Sequence, residues 1–95
     1  MSAAEIDRSS RVEATKEVAA ADLQDEAVIL NLKDGVYYGL NPVGARIWEL
    51  VQEPRTVGEL CDTIASEYEV DPDQCERDVI ALVRELSDNS LVEVE

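Results

Sequence analysis

Histidine, the side chain that most often moves protons and binds metals, is absent from the 95 residues. The thiols are Cys61 and Cys75. They form no Cys-x-x-Cys pair, and no second pair completes a zinc site. Both fall on apolar helical stripes, where a thiol reads as buried structure; a redox role calls for an electropositive, partly exposed setting. No serine or cysteine stands beside an obvious base. The 22 carboxylates are spread along helix surfaces and read as a solvated acidic face rather than a catalytic pair. No catalytic residue, metal or cofactor is expected.

Charge narrows the partners. Eight Lys and Arg against 22 Asp and Glu leave a net charge of −14. A surface for nucleic acid or anionic lipid needs clustered cations, so neither is expected. From Thr56 onward the bases are Arg77 and Arg84 alone, which suits solubility or attraction of a basic partner. Apolar runs such as Ala27 to Leu30 are far too short to span a bilayer. The first residues lack the apolar stretch of a secretory signal. The expected location is the cytoplasm, with reduced thiols.

The elements that would position any site follow from pattern. Residues 1–16 are polar and small and read as a flexible lead-in, with residues 17–95 as the domain. Val18 to Asp22 is a weak, Ala-rich strand candidate, and Leu23 to Glu26 a turn. Ala27 to Leu32 is a strand rich in aliphatic and β-branched residues, and Val36 to Leu40 (VYYGL) is the next. Between them Lys33-Asp34-Gly35 is a hairpin turn with two registers. A two-residue turn pairs Lys33 with Val36. A bulged turn pairs Leu32 with Val36, and is favoured because it aligns Leu32, Leu30 and Val28 with Val36, Tyr38 and Leu40 on one face.

Three helices follow. Asn41 caps the first, Pro42 opens it, and Val43, Ile47, Leu50 and Val51 form its stripe, with Trp48 on the flank. Thr56 and Glu59 make a capping box for the second, whose stripe is Val57, Leu60, Cys61, Ile64 and Tyr68. Asp71 and Pro72 start the third, with Cys75, Val79, Leu82, Val83 and Leu86 facing inward. Leu91 to Val94 is a short extended tail. The fold class is therefore α+β and winged helix-turn-helix-like: a three-stranded antiparallel sheet followed by three helices. If Val36 to Leu40 is a sheet edge, its unpaired backbone groups can accept another strand. Tyr37, on the outer face, would then be an interface ring.

The run NLKDGVYYGLNPVGARIWEL (Asn31 to Leu50), followed by RTVGELCDTIASEYEVDPDQCERDV (Arg55 to Val79), resembles the PqqD-like proteins. These are small peptide-recognition domains of ribosomal peptide natural-product pathways. The Tyr-Tyr-Gly-Leu-Asn segment with Gly44-Ala45-Arg46-Ile47-Trp48 looks most like the stand-alone members from lasso-peptide clusters, over roughly residues 17–92. The resemblance implies a non-catalytic protein that captures the leader segment of a precursor peptide as an added strand. The pairing strand would be Val36, Tyr37, Tyr38, Gly39 and Leu40, and the cleft wall Cys75, Asp78, Val79 and Leu82. It implies a leader with a Tyr-x-x-Pro-x-Leu pattern, a separate transglutaminase-like leader peptidase, and an ATP-dependent cyclase as partners. Within the family, a peptide chaperone for a radical enzyme of quinone-cofactor synthesis is the alternative. Outside it stand a winged-helix DNA-binding regulator, which the charge opposes, and a thiol enzyme.

Overall fold

The computed structural model describes residues 6–23 and 26–95. Six strands and three helices follow one another as β1 (Arg11–Ala14), β2 (Val18–Leu23), β3 (Glu26–Asn31), β4 (Val36–Leu40), α1 (Pro42–Leu50), β5 (Arg55–Thr56), α2 (Val57–Tyr68), α3 (Pro72–Asp88) and β6 (Val92–Val94). They build a mixed α+β domain with two three-stranded antiparallel sheets, ordered β5-β1-β6 and β2-β3-β4.

The helices start where short-range chemistry says they should. Asn41, Thr56 and Asp71 each accept a hydrogen bond from the backbone N–H three residues on. Thr56 and Glu59 complete the reciprocal capping box. Ile47, Leu50 and Val51 of the first stripe are buried together with the flanking Trp48, as are Val57, Leu60, Cys61 and Ile64 of the second and Cys75, Val79, Val83 and Leu86 of the third; Val43 and Leu82 are half-buried. Tyr68 departs from its stripe: it is 40% exposed at the last turn of α2. The chain turns away immediately after it through Glu69, whose φ of 50° is left-handed.

The first sheet is the larger departure from the sequence reading. Residues 11–14, assigned above to a lead-in outside the domain, form its central strand, and Val12 is fully buried there. Alternation in so short a segment is invisible until its partners are known, and both partners are remote: Arg55–Thr56 and the C-terminal tail. Arg8 extends the attachment. Its guanidinium reaches Asp62 of α2 at 3.3 Å and Glu76 of α3 at 3.2 Å, and its carbonyl accepts from the Gly58 N–H at 2.9 Å. Residues 1–5 and the middle of the turn read at Leu23–Glu26 lie outside the described residues.

The β3–β4 hairpin takes neither register anticipated. Asn31 pairs with Val36, Ile29 with Tyr38 and Ala27 with Leu40, so Leu32 to Gly35 make a four-residue loop. The buried face is Ala27, Ile29, Asn31 and Leu40, while Leu32 is 59% exposed. Asn31 is the cause. Its side-chain oxygen accepts from the N–H of Lys33 (2.9 Å) and of Asp34 (3.2 Å), and its carbonyl from that of Gly35 (2.7 Å). Gly35 closes the loop with a φ of 71°, a conformation glycine adopts without cost. The amide of Asn31 donates to the carbonyl of Asn89 at 3.1 Å, just past the end of α3. A polar residue is thus buried with its groups satisfied, and the slip that apolar matching favoured is overruled.

Candidate functional site

Backbone parity tells which groups β4 offers to a newcomer. The Leu32 N–H donates to the Glu17 carbonyl at 3.0 Å. In an antiparallel sheet successive residues turn their peptide groups to opposite neighbours. Leu32, Leu30 and Val28 therefore face β2, and Asn31, Ile29 and Ala27 face β4. Across the hairpin Val36, Tyr38 and Leu40 bond back to β3. Tyr37 and Gly39 are left with both N–H and C=O directed out of the sheet. Among the described residues β4 pairs with β3 alone, and no other described segment bonds these groups. No proline or inward charge blunts the edge.

Beside that edge runs α3. Asp78 lines a cavity with Asn41, just past the end of β4; Glu85 faces the Tyr38 hydroxyl; Asn89 meets Asn31, the partner of Val36. The helix therefore travels back along β4, from cavity to hairpin. It packs chiefly on α2 and β6 and leaves a seam against the strand. Burial, and then the Glu85 carboxylate, push the Tyr38 phenol up to about 12. Tyr38 therefore stays neutral well into the alkaline range.

The cavity measures about 310 Å³ and is apolar inside. Val43, Gly44 and Ile47 of α1, Ile64 of α2, Val70, and Cys75, Val79 and Leu82 of α3 line it, with Asn41, Gln74 and Asp78 as polar members. Gly44 sits at a close approach: a Cβ there would stand 3.1 Å from Leu40 Cδ2 and 3.3 Å from Asn41 Oδ1, so those side chains would have to give by a few tenths of an ångström. Leu40 lies against this glycine, which joins the strand to the cavity wall. Asp78 is exposed and accepts from the Gln74 side chain at 2.9 Å.

The structure thus brings Cys75, Asp78, Val79 and Leu82 together in one cavity. It sets Val36, Tyr37, Tyr38, Gly39 and Leu40 along the neighbouring edge: Val36 and Tyr37 exposed, Tyr38 half-buried, Leu40 buried. Sequence reasoning missed the α1 and α2 contributions. The i, i+4 pair Val43 and Ile47 was visible, but as core; nothing local says which end of a stripe stays open.

Cys75 stands in the cavity wall, and Cys61 is its neighbour outside the lining. Cys75 donates to the Cys61 carbonyl at 3.7 Å. Burial and then the neighbouring Cys75 push the Cys61 thiol up to about 11, and burial followed by Asp78 raises Cys75. Raised thiols are poor nucleophiles at neutral pH. A larger cleft of about 600 Å³ opens between the two sheets, lined by Glu13, Lys16, Asn31, Lys33, Ser87 and Glu93 among others. It is polar and of mixed charge, and it includes no residue of β4. Among the described residues no group of three or more Cys, Asp or Glu is placed to hold a metal, and no helix is long and apolar enough to cross a membrane.

A family model described as "Coenzyme PQQ synthesis protein D (PqqD)" matches residues 26–92. Among solved structures, TbiB1 in complex with the TbiA(beta) leader peptide is 40% identical, with a TM-score of 0.79, covering 85% of this chain and 94% of that one. A lasso peptide synthetase B1 complexed with the leader peptide is 28% identical, with a TM-score of 0.75, covering 86% of this chain and 96% of that one. No curated protein matches.

Proposed function

The chain belongs to the PqqD family, as a PqqD-like RiPP recognition element, and we propose that it is a non-catalytic, cytoplasmic module of lasso peptide maturation that binds the leader segment of a ribosomally made precursor. The leader adds as a strand to β4, beside α3, and is presented to a separate transglutaminase-like leader peptidase. The single observation that carries the reading is the outward-facing edge of β4, at Tyr37 and Gly39, running up to an apolar cavity. This is β-augmentation: main-chain bonds give affinity, and alternate side chains give specificity.

Alternation fixes the division of labour. A peptide residue opposite Tyr38 turns its side chain to the inner face, toward α3. Residues two positions away do the same, and the one at the Leu40 end reaches the cavity. Residues opposite Tyr37 and Gly39 point outward. A leader needs apolar residues at every second inner position. The two leader-bound structures, at 40% and 28% identity, support this partner. The family description, a coenzyme PQQ synthesis protein, supports the alternative of a role in quinone-cofactor synthesis, where the captured peptide would be handed to a radical enzyme.

Titration of a fluorescently labelled leader peptide tests the reading. Saturable binding is expected, lost with Tyr37→Pro in a protein that remains folded. No saturation, or an affinity untouched by that substitution, counts against it.

A further inference from the structure

Tyr68 and Val70 stand 40% and 38% open to solvent on either side of Glu69, at the turn between α2 and α3. This turn adjoins the cavity at the end of β4. Val70 is one of the lining residues, and so is Ile64, which lies one helical turn before Tyr68 on the same face of α2. An aromatic ring and an aliphatic side chain thus carry the apolar lining out onto the surface. Glu69, Asp71 and Asp73 are interleaved with them, all exposed. Asp71 accepts the Gln74 N–H as the cap of α3. Glu69 and Asp73 meet no lysine or arginine among the described residues, and no cation lines the cavity.

The direction of the added strand decides what reaches this turn. β4 pairs with β3 antiparallel, and an antiparallel ladder is the more stable per residue. A strand added to β4 therefore runs against it and enters at the Leu40 end. The cavity there, about 310 Å³, is roughly 8 Å across, which two or three extended residues span at about 3.3 Å each. Residues upstream of the cavity anchor arrive beside Tyr68 and Val70. We infer that the α2–α3 turn is a second contact for the leader, taking a segment about three to five residues upstream of the one seated in the cavity. That segment places an apolar or aromatic side chain against Tyr68 and Val70, and lysine or arginine beside Glu69 and Asp73. The inference rests on the function proposed above and names the chemistry of the flanking peptide. The turn is too small to hold a peptide alone. It acts because the paired strand holds the flank nearby, at high effective concentration. Cations on the flank also steer encounter with a chain of net charge −14.

The test uses the intact protein and the leader peptide of its gene cluster, labelled at its C-terminus, with a series shortened stepwise from the N-terminus. Affinity of the unaltered protein is expected to fall at least fivefold once the upstream segment is removed and the cavity anchor kept. Tyr68→Ser is expected to lose the same factor on the full leader and less than twofold on the shortened one, the non-additivity of groups in contact. Glu69→Gln with Asp73→Asn is expected to weaken the full leader about threefold at low salt and to flatten its salt dependence. All three side chains are exposed, and circular dichroism checks the fold. Equal losses on full and shortened leader overturn the inference, because Tyr68 would then act through the cavity or the fold. So does an affinity that falls only when downstream residues are removed, which would reverse the strand. A salt dependence untouched by the double variant overturns the cation assigned to the segment. If the unaltered protein binds no leader, the parent reading falls and this one with it; if it binds leader and neither Tyr68→Ser nor upstream shortening matters, this one alone falls.

Discussion

The side-chain amide of Asn31 donates to the backbone carbonyl of Asn89 at 3.1 Å, so one buried group joins the hairpin that begins β4 to the end of α3. These are the two walls of the seam, and Asn31 fixes their separation at its closed end. The opposite end, at Leu40 and Gly44, opens into the cavity.

Asn31→Ala tests that joint. It leaves the Lys33 and Asp34 N–H groups and the Asn89 carbonyl without their partner. Breaking a buried polar network of this kind costs about 2 kcal/mol. Urea unfolding is expected to show a lower midpoint at unchanged slope, with leader affinity falling as well. A midpoint within error of the unaltered protein would remove Asn31 as the determinant of register.

Proline scanning tests the parity of β4. Tyr37→Pro removes an N–H that faces outward, so leader affinity is expected to fall at least tenfold while thermal stability changes little. Tyr38→Pro removes an N–H bonded to β3 and is expected to destabilise the fold itself, as ladder prolines do. Calorimetric titration and thermal melts on both variants separate the two. The reverse pattern would mean that the edge presents Val36, Tyr38 and Leu40 instead.

Leu82→Glu places a carboxylate on the half-buried wall of the cavity. Leader affinity is expected to drop at least tenfold, since an apolar anchor worth about 1.5–3 kcal/mol on burial loses its site. Circular dichroism should show unaltered helix content. Retained affinity would put the anchors elsewhere.

Alkaline pH is expected to loosen the fold in a defined window. Burial raises Cys61 from 9.0 to about 11 and Tyr38 from 10.0 to about 12. In each case the unfolded chain ionises first while the folded chain keeps its proton. Stability from these groups is therefore fully present below pH 9, declines as pH rises through each group's interval, and is lost above the folded values. Urea midpoints measured from pH 8 to pH 11.5 should fall, and Tyr38→Phe should flatten the portion above pH 10. A midpoint constant across that range would contradict the buried settings assigned to both residues. At pH 8 the Cys61 thiol should react with a disulfide reagent about a hundredfold more slowly than in the unfolded chain.

The sequence by itself determined whatever is local. Asn41-Pro42, Thr56 with Glu59, and Asp71-Pro72 define the three helix starts within a few residues of themselves, and their apolar spacing defines the buried stripes. The tertiary structure alone decided the pairings. The central strand of the first sheet takes its partners from Arg55–Thr56 and Val92–Val94, and a strand has no hydrogen bonds until such partners arrive. The hairpin register turned on Asn89, 58 positions away from the asparagine it satisfies. That one-residue choice in turn set which peptide groups of β4 face open solvent and which of its side chains face α3. The strand Val36–Leu40 and the α3 side of the cavity are legible in the chain; the α1 and α2 sides of the cavity and the relative position of strand and helix are not, because side-chain direction alternates with a period of two and only a distant contact fixes its phase.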